Sequence, residues 1–180
     1  SIFKYRNMAV ENFEDLSVLN FVLEDDCYGR FVEGGISENV LLSTDGLGCG
    51  NSIRGEGDLI PTTRHAGSSI EITDINGDDQ MDVLLGDITY NGLNLLLNGG
   101  TNESSWITSS ILGFPTNEPV LIELFLTPKS IDIDNNLTDD LIVSSNDFIA
   151  SQSIDNIWLY RNTTEQGFQG ELVTKNFLSE

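Results

Sequence analysis

Short apolar runs bounded by Gly, Asn, Asp and Pro recur along the chain, among them FKYRN (3–7), VLLG (83–86), NLLLN (94–98), LIVS (141–144) and WLYRN (158–162). No apolar stripe at helical spacing is sustained over about ten positions, so the pattern predicts an all-β protein. Two sets of four strands are expected, at 67–73, 82–88, 93–98 and 106–112, and at 128–133, 140–145, 156–161 and 170–177. VLLG and LIVS lack polar alternation and read as strands buried on both faces. Asn91-Gly92 reads as a two-residue hairpin turn, because both residue types tolerate the positive φ that such turns require.

The chain repeats itself, which bears on the fold before anything else does. ITDINGDDQMDVLLG (72–86) aligns without gaps on SIDIDNNLTDDLIVS (130–144), a period of 132 − 74 = 58 residues. NLLLNGG (94–100) corresponds to WLYRNTT (158–164), and FKYRN is a third copy of that strand. A further strand is expected after each copy, in FEDLSVLNFV (13–22), WITSSILGF (106–114) and GELVTKNFL (170–178). The Asn that ends the copied strand falls at 7, 98 and 162, so the first interval is longer than the second by 91 − 64 = 27 residues. The organisation expected is therefore 1–22 as the last two strands of one unit, 23–65 as an insertion, and 66–114 and 115–180 as two complete four-stranded units. Such units suggest propeller blades, about two and a half of them.

Charge adds a second layer. With 29 Asp and Glu against 8 Lys and Arg, the net charge is −21, a field that repels nucleic acid and anionic lipid and attracts cations. No apolar stretch reaches the roughly 18 residues of a membrane span, so no membrane insertion is expected. The opening SIFKYRN already reads as strand, and the chain is expected to be a piece or a processed form of something longer. Cys27 and Cys49 are too few for a disulfide scaffold and lack the company of a zinc site. Their pairing would pin the 23–65 insertion and indicate an oxidising compartment.

Much of the acid is regularly spaced. Asp74, Asn76, Asp78, Gln80 and Asp82 occupy positions 1, 3, 5, 7 and 9 of one loop, and Asp132, Asp134, Asn136, Thr138 and Asp140 the same positions of its repeat. Oxygens on alternate residues of a tight loop can converge on one hard cation, and Ca²⁺ takes six to eight of them. Position 7 can offer its backbone carbonyl, so Gln80 and Thr138 need not use their side chains. Gly77 suits the reversal at position 4, and Asn135, the next best residue for a left-handed backbone, replaces it in the second loop. An oxygen-only set disfavours zinc and copper, and Mg²⁺ resists all-protein cages. An EF-hand would need Gly at position 6, Glu at position 12 and flanking helices. Two Ca²⁺ sites are thus expected.

DINGDDQMDVLLGD and DIDNNLTDDLIVS resemble the calcium loops of the FG-GAP/VCBS repeat family. CYGRFVE, HAGSS, LLGD, LLLNGGT and WLYRNTT further resemble bacterial surface proteins of that kind exported by the type IX route. The resemblance implies a β-propeller, with each metal loop joining the first two strands of a blade. Asn136 departs from the usual Asp at position 5, which implies a weaker second site, and the literal Phe-Gly and Gly-Ala-Pro signatures are absent. Two and a half blades do not close a ring, so the implied partners are the remaining blades of a parent chain or a pairing subunit.

Catalysis finds little support. His65 has no neighbouring nucleophile motif, no Gly-x-Ser-x-Gly elbow occurs, and Trp106 and Trp158 sit in strand patterns that read as core. The expectation is a non-enzymatic, secreted or cell-surface protein acting in adhesion or recognition of a protein or glycan ligand. Its contact surfaces would be 23–65 and the loop holding Phe148. The alternatives are the accessory propeller of a large secreted enzyme, such as a polysaccharide-degrading one, or a calcium-rigidified spacer.

Overall fold

A computed structural model of the protein describes residues 2–9, 19–33, 40–49, 68–88, 90–122, 125–145 and 154–178. Among the described residues the chain is all-β, with four antiparallel sheets, none of them closed. Two are ribbons: β1 (Ile2–Asn7) pairs with β2 (Phe21–Tyr28), and β3 (Phe31–Glu33) with β4 (Val40–Leu42). The other two are four-stranded meanders. β5 (Ser68–Thr73), β6 (Asp82–Asp87), β7 (Leu93–Asn98) and β8 (Ile107–Phe114) form the middle sheet. β9 (Leu126–Ile131), β10 (Asp140–Ser145), β11 (Ile157–Arg161) and β12 (Glu171–Thr174) form the last sheet. No helix among the described residues is long and apolar enough to cross a membrane.

The core explains why these runs become strands. On the middle sheet Val83, Leu85, Leu96 and Ile107 share one face and pack against Phe31, with Ile2, Val40 and Leu42 alongside. Leu84, Leu93, Leu95 and Phe114 face the other way, into a cluster with Leu126, Leu141, Val143, Trp158 and Tyr160 of the last sheet. The middle sheet is therefore covered on both faces at its central strands, and all six residues of β6 are buried. That is the environment its unbroken apolar run demands. β10 differs: Leu141 and Val143 are buried, but Ile142 on the opposite face is partly exposed, so LIVS is fully covered on one face only.

The two large sheets are related by the repeat itself. β5 and β9 lie side by side in the same direction, bridged by Ser69 Oγ to the Leu126 carbonyl, Thr73 Oγ1 to Ser130 Oγ (3.3 Å), Lys129 Nζ to Glu71 (2.7 Å) and the Ser130 N–H to Glu71 (3.1 Å). The bridged pairs are 57, 57, 58 and 59 residues apart, matching the 58-residue period of the sequence. Gly86 makes the contact feasible: a Cβ there would collide with the Leu126 carbonyl and the Ser69 hydroxyl.

Two local expectations are corrected. The strand after β1 runs from Phe21 to Tyr28 rather than over 13–22, and 10–18 lie outside the described residues. β2 thus begins in the segment read as part of the first unit and ends in the stretch read as an insertion. Asn91-Gly92 is not a two-residue turn: β6 ends at Asp87, β7 begins at Leu93, and neither Asn91 nor Gly92 takes a positive φ. The Tyr90 ring lies where a Cβ on Gly92 would go, so side-chain packing shapes this connection. Cys27 and Cys49 sit at disulfide distance, with Cα atoms 5.7 Å apart, and this pair ties β2 to the chain beyond β4.

Candidate metal centre

Both acidic loops connect the first two strands of a four-stranded sheet, 74–82 in the middle sheet and 132–140 in the last. They fold alike. Positions 4 and 6 take positive φ in each, at Gly77 (78°) and Asp79 (66°) in the first loop and at Asn135 (60°) and Leu137 (71°) in the second. Asn135 fills the role expected of it. The reversal at position 6 gave no sequence signal, because Leu is a poor choice for a left-handed backbone.

Equivalent carboxylates accept equivalent amides. Asp74 accepts the N–H groups of Asp78 (3.2 Å) and Asp79 (2.8 Å), and Asp132 accepts those of Asn136 (3.1 Å) and Leu137 (2.9 Å). Asp82 accepts the N–H of Ile75 (3.1 Å) and, across the sheet, that of Asn98 (2.8 Å). Asp140 repeats this with Ile133 (3.1 Å) and Asn162 (2.8 Å). Position 9 therefore fastens the loop to the end of the third strand. Asn98 and Asn162 extend the linkage: Asn98 Oδ1 accepts the N–H of Gly100 and Trp106 (both 3.0 Å), and Asn162 Oδ1 those of Thr164 (3.3 Å) and Gln169 (3.2 Å). Asn7 does the same for Ala9 (3.1 Å) and Asn20 (3.3 Å). The sequence marked these three asparagines as strand ends but did not reveal that they bridge the third strand to the fourth.

At position 7 both side chains are engaged elsewhere. Gln80 Oε1 accepts the N–H of Asn102 (3.0 Å), and the Thr138 hydroxyl lies 2.8 Å from the Asn162 carbonyl. Asn76 and Asp78 bond to each other (2.9 Å), and Asn136 donates to the Asn162 carbonyl (3.1 Å).

In the second loop the carboxylate oxygens of Asp132, Asp134 and Asp140 lie within 4.8 Å of one another. This is the one acidic triad so gathered among the described residues. The first loop, with Asn76 where the second has Asp134, does not bring three carboxylates so close. Arg161 reaches Asp134 at 3.1 Å, a cation sequence reasoning did not place there. Asp82 is fully buried, and burial pushes its carboxyl above the ordinary range against the pull of the Asn98 and Ile75 amides; the nearby Asp78 charge pushes the same way. A hard cation beside it would favour the charged form instead, and the oxygen-only donor set suits such an ion.

No family model, curated protein or solved structure matches this chain. The candidate site is thus defined by the two loops themselves. A shallow cleft of about 480 Å³ opens between them, lined in part by Asp74, Gly77, Met81, Leu137, Thr138 and Phe168. His65 and Phe148, and most of 34–67, lie outside the described residues. Trp158 is buried in the core as expected, and the half-buried Trp106 donates to the Ser43 carbonyl (3.0 Å).

Proposed function

We propose that this chain is a calcium-binding segment of the FG-GAP/VCBS type, its four-stranded sheets serving as propeller blades. It belongs to a secreted or cell-surface protein and acts in adhesion or recognition of a protein or glycan. The observation that carries the metal reading is the second loop, where three carboxylates stand within 4.8 Å of one another in a turn whose bonding at positions 1 and 9 the first loop repeats. Asp132, Asp134, Asn136, the Thr138 carbonyl and Asp140 would hold one Ca²⁺, and Asp74, Asn76, Asp78, the Gln80 carbonyl and Asp82 the other. The ion would neutralise crowded carboxylates beside buried strands, where like charges are costly. Asp82 and Asp140 would pass its effect to the third strands through Asn98 and Asn162. Cys27 and Cys49 at disulfide distance are compatible with an extracellular setting.

The test is thermal unfolding in chelator and in excess Ca²⁺. Saturation at 100 times the dissociation constant should add about 2.7 kcal/mol per site. A melting curve indifferent to calcium would remove the basis of the proposal. Binding of the calcium-loaded chain to glycan arrays and to intact cells then tests the recognition role.

A further inference from the structure

The two acidic loops differ in what stands beside them. In each large sheet the position-9 carboxylate accepts the N–H of the asparagine that ends the third strand, Asp82 from Asn98 and Asp140 from Asn162 (both 2.8 Å). The residue before that asparagine is thereby brought alongside the loop. In the middle sheet it is Leu97, partly buried against the core. In the last sheet it is Arg161, whose Nε lies 3.1 Å from Asp134 Oδ2. Position 3 changes in step: the loop beside Leu97 has Asn76, and the loop beside Arg161 has Asp134. An acid and a base in the last sheet are thus matched by two uncharged residues in the middle one.

That exchange matters for an incoming ion. In the first loop Asp78 is held by the amide of Asn76 (2.9 Å), which also carries an oxygen that a cation can use. A guanidinium has no acceptor and keeps its charge, so it offers a cation nothing and repels it. Building on the calcium reading of the loops, we infer that Arg161 is a tethered counter-ion that competes with Ca²⁺ for Asp134 and lowers the affinity of the second loop. With Arg161 in place, one of the three carboxylates gathered within 4.8 Å is already neutralised. For Ca²⁺ to take Asp134, the pair must open. It can do so cheaply, because the Arg161 and Asp134 side chains are 49% and 32% exposed and such pairs are weak. Removing Arg161 abolishes both the competition and its repulsion of a divalent ion, together about three- to tenfold in affinity.

The test is calorimetric titration of the 180-residue chain with CaCl₂, as wild type, Arg161→Leu, Arg161→Gln and Asp134→Asn. Asp134→Asn identifies the second loop's binding event as the one it removes. Arg161→Leu installs the residue of the middle sheet, and Arg161→Gln keeps a long polar side chain without the charge. Both alter an exposed side chain, so their melting temperatures in chelator should match wild type. Each should tighten the second loop's event about three- to tenfold and leave the first loop's event unmoved. The gain should shrink as ionic strength rises from about 0.01 M to about 1 M, where the screening length falls about tenfold. A second event that appears only in the Arg161 variants would support the same conclusion. The inference is overturned if the second event keeps its affinity or weakens in both Arg161 variants. It is also overturned if both events tighten alike, which would make Arg161 one charge among many in a chain of net charge −21. In either case calcium is still bound, and the reading of the loops survives. A chain that takes up no Ca²⁺ as wild type or as any variant, or one from which Asp134→Asn removes no event, refutes that reading and this inference together.

Discussion

Asp140→Asn separates what the loop carboxylates do for the fold from what they would do for a metal. Asp140 is 2% exposed, and its two oxygens accept the partly buried N–H of Ile133 (3.1 Å) and the buried N–H of Asn162 (2.8 Å). An amide of the same shape keeps one acceptor and turns its NH₂ toward the other N–H, leaving a donor at least partly buried without a partner. That costs about 1–3 kcal/mol, and it should be present in chelator. In saturating calcium the variant should also forgo the increment of one site, about 2.7 kcal/mol at 100 times the dissociation constant. Asp134→Asn is the control. Its side chain is 32% exposed and pairs with the half-exposed Arg161, a contact worth about 1 kcal/mol at most. In chelator it should be nearly silent, yet in calcium it should lose the same increment as Asp140→Asn. Urea unfolding of the three proteins, with and without the ion, measures all six values. If Asp140→Asn changes the chelator value by less than about 0.5 kcal/mol, the bonding scheme of position 9 is wrong. If both variants keep the full calcium increment, the triad does not hold the ion.

Two further substitutions test the scaffold. Leu137 is 89% exposed at φ 71°, a conformation that costs a non-glycine residue about 1–2 kcal/mol, so Leu137→Asn should raise the urea midpoint by the equivalent of about 0.5–1 kcal/mol. A fall in the midpoint would mean the left-handed assignment at position 6 is mistaken. Gly86→Ala places a methyl against the Leu126 carbonyl, a backbone group with little freedom to retreat, and should cost about 3 kcal/mol, at the upper end for overpacking. A loss below about 1 kcal/mol in chemical denaturation would show that β5 and β9 are not held in this register.

The strands were legible because burial on both faces of the middle sheet leaves a mark in composition. β7 and β10 fall at the expected 93–98 and 140–145, and the other strands of the two large sheets begin or end within a few residues of expectation. The repeat was legible for the same reason the sheets stack: the offset that aligns DINGDDQMD with DIDNNLTDD also sets Glu71 beside Lys129. Failures came where local sequence and tertiary contact compete. Asn91-Gly92 has the chemistry of a tight turn but is overruled by packing against Tyr90. LIVS looks like VLLG, but what covers a strand's second face depends on what stands beyond it. In the loops, the ligand-type residues were evident from spacing, while Arg161, Asn102 and the bridging asparagines were not. Asn102 and Asn162 meet Gln80 and Asp140 across 22 residues, Asn98 meets Asp82 across 16, and Arg161 reaches back to Asp134, none of them through a shared local pattern.

The difference between the two loops at position 4 carries information of its own. Gly77 and Asn135 both take positive φ, which Asn tolerates almost as well as Gly, so the turn alone does not explain why one loop has Gly. The neighbour does. A Cβ on Gly77 would come within 2.6 Å of the Gly167 backbone nitrogen, and one on Gly167 within 2.8 Å of the Asn76 carbonyl oxygen. The two backbones meet there because the Phe168 N–H donates to the Ile75 carbonyl at 2.6 Å and the Phe168 ring packs 5.5 Å from that of Phe114. The connection between β11 and β12 thus grips the first loop from the adjoining sheet, and only residues without a Cβ fit at the crossing. Asn135 is exposed. At this position Gly records a neighbouring sheet as well as a turn, and the first loop is built into an inter-sheet contact.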